Sequence, residues 1–276
     1  MAGMFDSKVS IDARPTRRGV LQVLAGGAVM IGGVAGGIAP AAAVASEPRI
    51  GWLIFDAQKL PAMSQRVDFI AASLKGTRYR SSTLIGSSRR AEKFVARDDA
   101  FDCVTYCETV LAAAMSRDPL EFDAHLRAIR YHNGVVAWRE RNHYFFEWGQ
   151  HNVENKTCRW IVMDGAIDIE KTVTAERGLG RRQFPMTVIP RETLLADQHR
   201  LVAGDIIGFV TQRANLDYFH VGFVAFGDKG ELLLRHASQT RHRVLDESLE
   251  RFMAKYRVRY VTLLRPEEPA GDKKAG

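Results

Sequence analysis

The 276-residue chain predicts an α+β protein, with helices first and an antiparallel β-sheet built by the second half. Two observations carry this. Before residue 130 apolar side chains recur at helical spacing, and after residue 205 they gather in short runs rich in β-formers and separated by turn residues. That order argues against alternating βαβ units. Residues 46–265 contain no internal repeat and no Pro/Gly/Ser-rich linker, so they read as one domain.

Residues 1–45 read as an address. Arg17-Arg18 precede a stretch from Gly19 to Ser46 without a charged residue, and seven of its first 21 positions are glycine. Pro40 and the small residues Ala43-Val44-Ala45 close it. The pattern predicts a cleavable twin-arginine signal cut after Ala45, a partnership with the twin-arginine export machinery, and a periplasmic or otherwise extracytoplasmic location without stable membrane insertion after cleavage. The alternative is a retained membrane helix, for which the uncharged run is long enough.

In the first half, Val67, Ile70, Ala71 and Leu74 share a helical face within Met63–Lys75, as do Phe122, Leu126 and Ile129 within Pro119–Arg130. Between them Asp102 is placed to cap a helix from Cys103 to about Met115. In the second half, Asp205–Gln212, Phe219–Phe226, Leu232–Ala237 and Arg259–Leu264 read as strands, with Gly227-Asp228-Lys229-Gly230 turning the second into the third. A helix over Asp246–Lys255 precedes the last strand, and Pro266–Gly276 reads as a disordered tail.

The formal charge of +7 shrinks once the leader is set aside: 35 basic and 30 acidic residues remain, a net +5. No run of five basic residues occurs, which argues against nucleic acid as partner. A mildly basic exported protein suits an acidic polymer such as the cell wall, although solubility explains the charge equally well. Three cysteines, an odd number, cannot build a disulfide framework.

By position alone Cys103 is either a thiol activated at a helix start or a buried small hydrophobe. Cys107, four residues on, shares a helical face with Val110, Leu111 and Ala114 and reads as packing; Cys158 reads as structural. His220 opens one strand of the hairpin and His236 ends the other, so the two should meet side by side as base and orienter for a thiol. Zinc binding by the same three residues is the other option, though close ligand spacing is lacking and no metal or cofactor is expected. Arg141-Asn142-His143, beside Tyr144, Phe145, Phe146 and Trp148, form either a sugar- or peptide-binding cluster or a polar turn leading into a buried strand. Gly178–Arg182 reads as a solvated basic loop.

Five segments in order, Gly76-Thr77-Arg78-Tyr79, Phe101–Thr105, Leu201–Ile207, His220-Val221-Gly222-Phe223 and His236-Ala237-Ser238, resemble the NlpC/P60 papain-like cysteine peptidases of the cell wall. With Arg141–Phe145 added, the chain is similar to the DUF1460 branch, the N-acetylmuramoyl-L-alanine amidase-like proteins. The resemblance implies a papain-like fold with the nucleophile helix packed on an antiparallel sheet, and a peptidoglycan or muropeptide substrate. It further implies Cys103 as nucleophile, His220 as general base, His236 as the third member, Tyr79 at the oxyanion and Arg141, Asn142 and His143 at the substrate. Arg78 stands where that family has proline, and the gap from Tyr79 to Cys103 is longer than in most of its members. A stem-peptide endopeptidase of the same fold is the near alternative; a copper or redox protein using Cys103-x3-Cys107 is the distant one.

Overall fold

The computed structural model describes residues 49–174 and 179–269. The expected leader, Gly178 of the basic loop and the tail beyond residue 269 lie outside them. All elements below belong to one compact unit.

The first half supplies α1 (Arg49–Ala57), α2 (Met63–Ser73), the two-residue β1 (Arg78–Tyr79), a small hairpin of β2 (Ile85–Ser87) and β3 (Arg90–Lys93), β4 (Ala100–Phe101), α3 (Cys103–Met115), α4 (Phe122–Arg130) and α5 (Phe145–Glu154). Then come β5 (Cys158–Ile161), β6 (Ile167–Val173), β7 (Arg182–Pro190), α6 (Arg191–Ala196), β8 (Ile206–Val210), β9 (Tyr218–Phe226), β10 (Leu232–Ser238), β11 (Arg243–Ser248), α7 (Leu249–Lys255) and β12 (Tyr260–Pro266). Ten strands form one sheet in the order β4-β1-β11-β10-β9-β8-β12-β7-β6, with β5 also on β12. Its pairs are antiparallel except β1 with β4.

The mixed α+β class and the main strands match the sequence reading, but helices cover both faces of the sheet. Alternation along β9 explains this: Val221 and Phe223 join a core with α2, α3, α4 and α5, while Val224 joins Leu249 and Phe252 of α7 and Leu194 of α6 on the other side. The strand-to-helix boundary near residue 246 also differs. Arg243–Ser248 continue the sheet, with Asp246 opposite Arg235 of β10, and the helix begins at Leu249 with the Ser248 hydroxyl accepting from Arg251 N–H at 3.3 Å. Pro266, expected in a loose tail, ends β12, and the next two residues are also tied down. Glu267 N–H donates to Thr157 O at 2.9 Å, and Glu268 pairs with Arg66.

Helix α3 is the central buried element. Asp102 Oδ1 accepts from Thr105 N–H at 2.8 Å and Thr105 Oγ1 accepts from Asp102 N–H at 3.0 Å, a reciprocal cap that fixes where the helix begins. Behind the cap, Ala112, Ala113 and Ala114 keep its surface slim where neighbouring helices approach. Glu108 accepts from Arg130 Nε at 2.8 Å, a buried ion pair joining α3 to α4.

Candidate active site

The site begins at the start of α3. There the first backbone N–H groups have no intrahelical acceptor, and those of Cys103 and Val104, with that of Val221 from β9, act on the Cys103 sulfur. Cys103 is half-buried. Its neighbour across the cap is Tyr79, held by two ladders: Arg78 and Tyr79 pair in parallel with Ala100 and Phe101, and Tyr79 N–H donates to His242 O at 3.0 Å. Since β4 runs straight into Asp102-Cys103, tyrosine and thiol sit on adjoining, rigidly paired backbone. Tyr79 is half-buried, and its hydroxyl is pushed up to about 12 by burial and then by the neighbouring Cys103 and Asp102. It is therefore a proton-bearing donor at neutral pH.

The residue before Val221 is His220. Its Nε2 lies 2.5 Å from His236 Nδ1 of β10. The strand register makes this contact diagonal rather than side by side. Arg235 faces Phe223, which sets Gly222 opposite His236 and leaves His220 two residues further along the same face. Glycine is required at 222: a Cβ there meets Arg235 O and the His236 Cβ, each at 2.9 Å. The gap lets the His236 ring lean across to His220. On the far side, His236 Nε2 lies 2.7 Å from Glu247 Oε1 of β11. Phe252 of α7 covers both imidazoles, with ring centroids 5.5 Å from each.

Burial dominates the electrostatics. It depresses His220 to about 3, with His236 adding to the effect, and it lowers His236 as well against the opposing pull of Glu247 and Asp246. The Cys103 thiol is pushed up to about 12 by burial and then by the Asp102 charge; the three amide N–H groups pull the other way without prevailing. A helix start does not by itself make this cysteine a thiolate. Burial thus disfavours both the thiolate form of Cys103 and the imidazolium form of His220.

Arg141, Asn142 and His143 form a separate network. Arg141 Nη1 donates to Glu92 Oε1 at 2.9 Å, which also accepts from the Tyr131 hydroxyl at 2.9 Å. Asn142 Nδ2 donates to Ile129 O at 3.3 Å, and His143 Nε2 lies 2.7 Å from Trp138 O with its ring packed on that indole. These residues lead into helix α5, not into a strand: Phe145, Trp148, Gly149 and Asn152 are its buried face. Of the expected basic loop, Arg182 begins β7 and faces Glu147 at 3.4 Å. Cys107 and Cys158 are buried in the core. Among the described residues no three His, Cys, Asp or Glu side chains converge as a metal centre would.

Glu247 and Gly222 are the members of this constellation that sequence reasoning missed. The hairpin pattern already contained the signal for glycine, a residue without a side chain two positions from the strand-opening His220. Nothing marked Glu247 while residues 246–255 read as helix.

Residues 69–259 match the family of AmiA-like, N-acetylmuramoyl-L-alanine amidase-like proteins. Among solved structures, a DUF1460 protein from Legionella pneumophila superposes with TM-score 0.68 at 22% identity, over 80% of this chain and 94% of that one. An N-acetylmuramoyl-L-alanine amidase from Bacteroides uniformis gives TM-score 0.66 at 22% identity, over 75% of this chain and 99% of that one. At these identities the two share the fold. No curated protein sequence matches the chain. With the match spanning the thiol helix, both histidine strands and the tyrosine strand, the chain belongs to the N-acetylmuramoyl-L-alanine amidase-like family.

Proposed function

We propose that the protein is an exported cysteine amidase of the papain-like NlpC/P60 type, cleaving the amide between N-acetylmuramic acid and L-alanine in peptidoglycan or its fragments. The observations that support this are the hydrogen-bonded His220–His236 pair on β9 and β10, and the backbone N–H of Val221, the residue after His220, acting on the Cys103 sulfur at the capped start of α3. A neutral pair calls for proton transfer during attack. As the Cys103 sulfur bonds to the amide carbonyl carbon, its proton passes to His220 and the carbonyl electrons move to oxygen. The Tyr79 hydroxyl and the Cys103 N–H hold that oxyanion. On collapse the C–N bond breaks, the L-alanine nitrogen leaves with the proton from His220, and a thioester remains. Water, deprotonated by His220, then hydrolyses it and restores the thiol. Substrate contact by Arg141, Asn142 and His143 rests on the family resemblance alone, and their own partners are Glu92, Ile129 and Trp138.

Digestion of purified muropeptides, read by mass spectrometry, tests the reading. The expected product is a free stem peptide beginning with L-alanine, lost in Cys103→Ala; a fragment lacking L-alanine points to a stem endopeptidase instead. The family match favours the amide over the stem bond. Export by the twin-arginine route rests on Arg17-Arg18 and the Gly-rich stretch behind them. Changing both arginines to lysine is expected to hold the protein inside the cell, as seen by fractionation.

A further inference from the structure

Three neighbouring strands each contribute one residue to a hydrogen-bonded diagonal: His220 on β9, His236 on β10 and Glu247 on β11. The register is the same at both steps. His236 faces Gly222 and Leu245 directly, and each of its bonding partners lies two residues along from those. The relay ends in a carboxylate whose side chain is 30% exposed, whereas that of His236 is only 2% exposed. Glu247 also lines a cavity of about 950 Å³ with Asp228, Lys229, Glu231, Asp246, Glu250 and Arg251, so water reaches it.

We propose that Glu247 is a positioning residue that decides which nitrogen of His220 acts as the base. An ionised carboxylate only accepts hydrogen bonds. His236 must therefore carry its proton on Nε2, and a neutral imidazole protonated there has a bare Nδ1. That bare nitrogen takes its hydrogen bond from His220 Nε2–H, which leaves Nδ1 of His220 as the unprotonated atom. Burial, which disfavours the imidazolium form of both rings, keeps each to a single proton at rest. Without the carboxylate the opposite chain is equally well bonded: His236 Nδ1–H donates to His220 Nε2, and His220 carries its proton on Nδ1, the position that must be empty. During attack the Cys103 proton moves to His220 Nδ1, and the two relay protons stay where they are. The new positive charge lies one ring away from the Glu247 carboxylate.

This inference rests on Cys103 and His220 being nucleophile and base, and the test separates the two. In the full chain with ¹⁵N-labelled histidine, long-range ¹H–¹⁵N correlations at pH 7 should give Nε2–H tautomers for both His220 and His236. Glu247→Ala should lose that uniformity. Alkylation of Cys103 by iodoacetamide, located by peptide mass, should slow roughly 100-fold in Glu247→Ala. Glu247→Gln, close in shape, should fall between wild type and Glu247→Ala. On muropeptides kcat should drop while KM holds. A Glu247→Ala protein that unfolds cooperatively yet keeps wild-type tautomers and alkylation rate overturns the proposal. If Glu247→Ala does not fold, Glu247→Leu, which likewise has no acceptor, decides by the same readouts. Slower alkylation in the variants, with no muropeptide cleavage by wild type, upholds Glu247 and sinks the substrate instead. Equal alkylation of wild type and His220→Ala overturns the underlying base assignment and the Glu247 role with it.

Discussion

At the scale of single residues, the site is set by what each group cannot do. Burial denies Cys103 an easy negative charge and His220 an easy positive one, so the proposed attack requires a proton to pass from the first to the second. Burial also keeps the proton on Tyr79, which in the proposed reaction donates it in a hydrogen bond to the oxyanion. Replacing it with phenylalanine removes that donor and little else. The expected result is a fall in kcat of about 10²-fold with KM nearly unchanged, measured by steady-state hydrolysis of a muropeptide. A change confined to KM would mean that the hydroxyl binds substrate without serving the oxyanion.

Elements bring these residues together, and here sequence legibility divides by distance. The α3 cap was legible because Asp102 and Thr105 are three residues apart and satisfy each other locally. The hairpin was legible because Gly227–Gly230 stands between two β-forming runs, with Gly230 in the left-handed region at φ +80°. Helix α5 was not legible, although Phe145, Trp148, Gly149 and Asn152 follow helical spacing, because dense aromatics also suit the buried strand that was one of the two alternatives. Strand β11 was missed for a different reason. Asp246 and Glu247 resemble a helix N-terminus until partners from β10 claim them: Arg235 for the first and His236 for the second. Tertiary pairing overrode local propensity there. The hairpin also carries a sharp prediction. Gly222→Ala places a methyl against backbone and the root of His236, neither of which can swing away. It should cost about 1–3 kcal/mol in urea unfolding and remove most hydrolysis by tilting His236 off His220.

For the whole molecule, the buried histidines couple stability to pH. His220 binds its proton near pH 3 when folded and near 6.5 when unfolded, so between those values the unfolded chain holds the proton and the folded chain does not. Stability from this group is complete above pH 6.5 and is lost as pH falls towards 3. His125, His143, His151 and His236, lowered by burial, act in the same sense; Glu108, Glu147 and Asp217, raised by burial, oppose them at lower pH. Urea unfolding at pH 7, 5.5 and 4 should show wild type losing on the order of 1 kcal/mol per unit more than His220→Gln. Parallel decline of the two proteins would place the acid sensitivity elsewhere.

The strand order also carries a consequence for the chain while it is being made. The Val221 amide that meets the Cys103 sulfur is encoded more than a hundred residues after it, and β1, which holds Tyr79, waits for β11 near the end of the sequence. Contacts this remote in sequence form late and slowly. A partly synthesised chain therefore lacks both the strand that fixes Tyr79 and the Val221 amide that meets the Cys103 sulfur. The proposed site is assembled only once nearly the whole polypeptide has left the ribosome.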